Sequence, residues 1–156
     1  MTFNMSESLE VRILLLADQD AVTSFEKTKA EATQFEAMER EMQSWSARWR
    51  SEALAHYLPQ GWSFGAFRAG KLEAYVLAQP FIFFRGLTQT LWIEHVGFAS
   101  PEAALQVLDV AHRWARDKHL QCVLLEDDPA LKTVVQNWPA ARPRTFDFIE
   151  AKSARY

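Results

Sequence analysis

Leu91-Trp-Ile-Glu-His-Val-Gly-Phe98 is followed by Ala99-Ser-Pro-Glu102, a helical run to His119, and Gln121-Cys-Val-Leu-Leu-Glu126. This stretch reads as a strand, a capped helix and a second strand. Ser100 suits the helix cap, Pro101 the first helical position, and Glu102 the positive end of the helix dipole. Ala104, Val107, Leu108, Ala111, Trp114 and Ala115 recur at spacings of three and four, so one helix face is buried. Arg113, Arg116, Asp117 and Lys118 fall mostly on the other face. Cys122–Leu125 carries no charge, which predicts a strand covered on both sides. Two strands joined by such a helix are expected to be parallel neighbours with a right-handed crossover.

Upstream, Leu9–Leu16 is a strand whose continuously apolar end predicts an interior place in the sheet. Asp18 or Asp20 is expected to cap a helix that buries Ala21, Val22, Phe25 and Ala32. Thr33 and Glu36 have capping-box spacing, so a second helix starts there and runs towards Tyr57, ended by Pro59 and Gly61. Phe35, Met38, Met42, Trp45 and Trp49 repeat along it at helical spacing. This predicts core packing; the sharper alternative is an apolar wall over a substrate cleft.

Three antiparallel strands follow, Trp62–Arg68, Leu72–Phe84 and Thr90–Val96, with turns at Ala69-Gly70 and Arg85–Thr88. Pro80 cannot donate to the ladder, which predicts a bulge or bend at Gln79-Pro80. Phe81-Ile82-Phe83-Phe84 must be buried by the core or by a partner, so Tyr75–Phe84 is a candidate homodimer surface. Beyond the parallel strand, Asp127-Asp128-Pro129 opens a short helix over 130–137, and Thr145–Glu150 alternates as a final strand. The order is β-α-α-β-β-β-α-β-α-β. It defines an α/β chain with a central mixed, twisted sheet flanked by helices. One domain is expected over residues 1–156, with a structured core of residues 9–151.

A chain of 156 residues, 49% apolar, buries a sizeable single core. Its net charge of −3, with acids and bases interspersed, gives no basis for binding nucleic acid or an anionic membrane. The only cysteine, Cys122, sits in an apolar strand as a small core residue. No signal peptide or membrane-spanning run is visible, so a soluble, cytoplasmic protein is expected. His56, His95, His112 and His119 lack metal-ligand spacing, so no metal site is expected. Arg48, Arg50, Arg68 and Arg85 could bind phosphate if the fold made them converge.

Asp109–Leu120 reads Asp-Val-Ala-His-Arg-Trp-Ala-Arg-Asp-Lys-His-Leu. It resembles the helix after the acetyl-CoA loop of the GNAT N-acetyltransferases, which often ends in Trp-Ala-Arg-Glu-Lys-Gly-Leu. The strand ending in Leu124-Leu125-Glu126 resembles the one after it, and Ala17–Phe25 resembles the family's first helix. The element order agrees along nearly the whole chain. The resemblance implies a GNAT-like fold, acetyl-CoA as cofactor and a small-molecule or protein amine as acceptor. It places the cofactor at Val96, Gly97, Ser100, Ala103 and Ala104. It also implies a base on this strand, Glu94, with His95 as the alternative. Neighbours on a regular strand point to opposite faces, so only one of the two is expected to face the cleft.

The family's Q/R-x-x-G-x-G/A signature falls on Ala99–Ala104, and only Ala104 fits it. Backbone N–H groups of that motif cradle the diphosphate of CoA. Here Pro101 removes a donor, and Glu102 replaces the first glycine with a negative charge that costs about 1 kcal/mol. No tyrosine stands near Val134, where the family often has its general acid. The resemblance puts Asp127 and Asp128 in the segment that the pantetheine arm passes in the family. Two functions follow: a divergent acyltransferase moving an acetyl group from acetyl-CoA to an amine, or a GNAT-fold binding module that has lost the cofactor. Acetyl-CoA is expected to bind weakly or not at all.

Overall fold

Glu10–Ile13 (β1), Phe64–Arg68 (β2), Lys71–Phe84 (β3), Leu87–Phe98 (β4) and Cys122–Leu125 (β5) form one sheet in that spatial order. The structure is a computed structural model that describes residues 8–32, 36–144 and 148–153. The first four strands are antiparallel, and β5 lies parallel to β4, with Thr90 opposite Cys122 and Ile93 opposite Leu125. The helices are Gln19–Glu31 (α1), Ala37–Ser44 (α2), Ser51–Tyr57 (α3), Pro101–Asp117 (α4) and Lys132–Gln136 (α5).

The unit β4-α4-β5 forms as its residues dictate. Ser100 Oγ accepts from the Ala103 N–H at 3.2 Å, and Pro101 occupies the first turn. Ala103, Ala104, Val107, Leu108, Ala111 and Ala115 are buried against one face of the sheet, beside Ala74, Val76, Leu91 and Ile93. On the other face Val22 of α1 and Leu54 and Tyr57 of α3 cover Leu72, Tyr75 and Leu77. The alternation along β3 therefore feeds two core layers.

The helix ends at His119, whose φ of +63° is in the left-handed region, and Leu120 N–H donates to the Ala115 carbonyl at 2.9 Å. Glycine occupies this place in the family pattern and takes up such a φ without strain. His119→Gly is expected to stabilise the fold by roughly 0.5–1 kcal/mol, seen as a higher melting midpoint. A lower midpoint would show that the imidazole itself holds the helix end.

Several expectations are corrected. β1 and β5 are edge strands of the described sheet, and every residue of β5, Cys122 included, is only half-buried. Of the apolar run after β1, Leu14 is buried while Leu15 and Leu16 are exposed. Asp18 precedes α1 but does not cap it; it binds Arg12 and the Leu15 N–H instead. Ala21 of α1 and Ala32 just beyond it are exposed, and Glu26 takes the buried place beside Val22.

The helix expected as far as Tyr57 is broken over residues 45–50, and its apolar stripe is not core. Met38 is 74% exposed, and Met42 and Trp45 are exposed too; only Trp49 packs, beneath α3. Spacing defines a stripe but not whether a surface exists to cover it. Thr33 and Phe35 lie outside the described residues. Ile82 and Phe83 are exposed on the β3–β4 hairpin, so this chain's own core does not bury them. Trp114 is half-buried, edge-on to Phe64 at 6.0 Å, with the Lys118 ammonium over its ring. Of the final strand, residues 145–147 lie outside the described residues and 148–150 are not in a strand.

Candidate functional site

A slip in register shapes the centre of β4. Leu77 pairs with His95 but Ala78 pairs with Ile93, which leaves Glu94 as an extra residue, a β-bulge. Pro80 pairs in register with Leu91, so the irregularity lies two residues before the expected bend. The bulge changes which way the side chains point. Leu91 and Ile93 pack towards α4, and so do Val96 and Phe98. Glu94 and His95 are left together on the face of α1 and α3. The expectation that only one of them faces the cleft is thereby overturned, because the rule of alternation assumes an unbroken ladder.

The same point is where β4 and β5 part. Their pairing stops at Ile93 and Leu125, and the gap beyond is lined by Glu94, His95, Val96, Glu126, Asp128 and Arg48. It opens into a cleft of about 430 Å³ between His95, the 46–49 turn and the segment 126–129. That volume suits a small ligand. Among the described residues of the apolar stripe, only Trp49 reaches it.

Glu94 is well supported. Its Oε2 accepts from Trp92 Nε1 at 2.8 Å and from the Tyr57 hydroxyl at 3.4 Å. Arg48 Nε lies 3.9 Å from Oε1, and Arg48 Nη1 donates to the Glu94 carbonyl at 3.1 Å. Arg48 also holds Glu126 at 2.5 Å, so one guanidinium spans the gap between the diverging strands. Burial, then the Glu94 charge and its hydrogen bond, push the Tyr57 hydroxyl up to about 12, so it remains a donor throughout the neutral range. His95 meets Glu26, whose Oε1 is 3.4 Å from Nε2 and also accepts from Tyr75 at 2.6 Å.

The sequence singles out Glu94 and His95 as candidates; it does not announce Tyr57, Trp92, Glu26 or Arg48, which the fold sets beside them. Glu26 left a signal, a carboxylate four residues after Val22 on an apolar helix face. The arginines do not converge. Arg50 pairs with Glu52 at 3.6 Å, Arg68 with Glu73 at 2.9 Å and Glu102 at 3.7 Å, and Arg85 lies over Phe148.

The positions tied to the cofactor by resemblance have local roles here. Val96 lines the gap between the strands. Gly97 leaves room for the Tyr75 ring and Glu26. The Ala103 N–H is taken by Ser100 Oγ and the Ala104 N–H by the Ser100 carbonyl, while both side chains are in the core. Pro101 lacks a donor, and Glu102 sets a carboxylate beside them that Arg68 faces at 3.7 Å, so a diphosphate would be held here more weakly than by the family's glycine loop. Asp128 has an ordinary task, accepting from the Ala130 N–H at 2.9 Å. Among the described residues no cluster of His, Cys, Asp and Glu could hold a metal, and no helix is long and apolar enough to cross a membrane.

No protein-family model matches the sequence, and no curated protein matches it either. Solved structures do match in shape. An aminoglycoside N-acetyltransferase in complex with CoA has a TM-score of 0.68, covering 97% of this chain and 99% of that one at 13% identity. A protein from Thermus thermophilus has a TM-score of 0.66 at 19% identity, covering 94% and 99%. A ribosomal-protein-alanine N-acetyltransferase from Brucella melitensis biovar Abortus 2308 has a TM-score of 0.63 at 15% identity, covering 93% and 99%. The chain has the GNAT-type N-acetyltransferase fold, in a divergent form.

Proposed function

We propose that this chain is a divergent N-acyltransferase that moves an acetyl group from acetyl-CoA to an amine held in the cleft. The observation that carries this is the β4 bulge, which sets Glu94 and His95 side by side where β4 and β5 part. An ammonium group entering there meets a carboxylate fixed by Trp92 and Tyr57, with an imidazole next to it. Removing one proton makes the amine a nucleophile, and a carboxylate or imidazole in hydrogen-bond reach serves that step. Arg48 offsets Glu126, and Asp128 adds negative charge along the cleft, which favours a cationic acceptor, either a small molecule or a protein amine.

The α4 start supports a second reading, a GNAT-fold module that binds an amine and no longer handles acetyl-CoA. Its Ala103 and Ala104 N–H groups are engaged by Ser100, and Arg48 crosses the gap between the strands. Release of free thiol from millimolar acetyl-CoA, measured with a panel of mono- and polyamines, separates the two. Acyl transfer predicts amine-dependent release, lowered about 10-fold or more by Glu94→Gln, which takes a charge from the amine's site, in a protein that still melts cooperatively. Full activity of Glu94→Gln would remove Glu94 from the reaction. Absence of release with every amine would leave the binding module.

A further inference from the structure

Glu26 sits on the buried face of α1, one turn after Val22, and is only 8% exposed. A carboxylate in an apolar layer is costly unless partners compensate it, and an apolar side chain of similar size would serve packing as well. Burial pushes its pKa up, but hydrogen bonds from His95 and Tyr75 lead the effects that outweigh it, and the carboxyl lies below its ordinary value. Tyr75 is pushed well above the usual tyrosine value by burial and then by Glu26, so its hydroxyl stays a donor. The outer end of this chain of groups is His95, which lines the cleft.

We propose that Glu26 is a positioning residue that fixes His95 as the proton acceptor for the bound amine, while Glu94 holds the amine's positive charge. This rests on the acyltransferase reading. An ionised carboxylate can only accept, so Nε2 carries the ring proton and faces Glu26, and the lone pair is on Nδ1. Nδ1 takes a proton from the substrate ammonium. The nitrogen–hydrogen electron pair stays on the amine, which becomes a neutral nucleophile, and the ring becomes an imidazolium. Glu26 stabilises that cation across the 3.4 Å contact, which shortens as the charge develops. The ring later returns its proton to solvent. Tyr75, bonded to the same oxygen, holds the carboxylate in place.

Long-range proton–nitrogen NMR of the full chain, with histidine labelled, reads the His95 tautomer without any activity assay. The wild-type ring is expected to be protonated at Nε2. Glu26→Gln and Glu26→Ala are expected to lose that preference, and Tyr75→Phe to keep it. In the thiol-release assay Glu26→Gln is expected to lower kcat about 10- to 100-fold with KM for the amine changed less than about twofold, and Glu26→Asp to recover part of the rate. A wild-type ring protonated at Nδ1 overturns the proposal, and decides the matter even where a variant does not fold. An unchanged tautomer in both folded Glu26 variants overturns it too. A changed tautomer with unchanged kcat removes His95 as the acceptor. No turnover in the wild type overturns the acyltransferase reading and the proton transfer with it, while the ring state still tests the role of Glu26 by itself.

Discussion

Gly97→Ala is expected to cost about 3 kcal/mol and to lower the melting midpoint by roughly 6–12 °C. A Cβ there would stand 2.5 Å from Glu26 Oε1 and 2.8 Å from Tyr75 Cζ, and closer still to Tyr75 Cε1. Neither neighbour can give way cheaply. The Tyr75 ring is fully buried, edge-on to Phe25 at 5.9 Å and packed on His95 at 5.6 Å, and its hydroxyl is bonded to Glu26. Gly61, Gly70 and Gly86 are open at the same place and have positive φ, whereas Gly97, like Gly65 against Leu14, is required by packing and not by turn geometry. Thermal unfolding of Gly97→Ala checks this. An unchanged midpoint would mean that Tyr75 and Glu26 do not lie over β4, and the support proposed for His95 would go with them.

Leu108→Ala is expected to destabilise the fold by about 2–5 kcal/mol, more than Trp114→Ala despite the smaller side chain removed. Leu108 is wholly buried between α4 and the sheet, where truncation leaves a cavity. Trp114 stands at the edge of the same layer, half-buried, with its ring against Phe64 and beneath Lys118. Truncation there opens the ring's site to water, so the cavity part of the penalty falls away. Chemical denaturation of the two variants compares them directly. If Trp114→Ala proves the costlier, α4 is rotated from the face assigned to it.

The β4-α4-β5 unit was legible because its signals are local. Ser100, Pro101 and Glu102 mark a helix start, and the run from Ala104 to Ala115 writes the buried face in its spacing. Legibility failed where the outcome depends on distant residues. Whether Met38, Met42 and Trp45 find a surface to cover is not written in their own spacing, and they stay exposed. The edge positions of β1 and β5 depend on which strands pair, so an apolar run such as Cys122–Leu125 suggests more cover than it has.

The candidate site divides in the same way. Glu94 and His95 stand out as polar residues in an apolar strand. Their shared face comes from a register slip against β3, a long-range event that neither residue announces. Tyr57 reaches Glu94 across 37 positions of chain and Glu26 reaches His95 across 69. Such partners become visible only when the helices are docked. The departure of Pro101 and Glu102 from the family's glycine pattern, by contrast, is local and legible. The fold adds that Ser100 engages the N–H groups of Ala103 and Ala104.

On the reading proposed above, this fold keeps the amine side of the site and has lost its grip on the diphosphate. Calorimetric titration with acetyl-CoA, on the wild type and on Glu102→Gly, tests that most directly. The expected wild-type dissociation constant is weaker than about 0.1 mM, and removal of the carboxylate from the helix start tightens it by roughly fivefold. Micromolar binding by the wild type, indifferent to Glu102→Gly, would contradict the loss of the cradle. No heat from either protein, and no shift in melting at millimolar ligand, would contradict acyl transfer from acetyl-CoA.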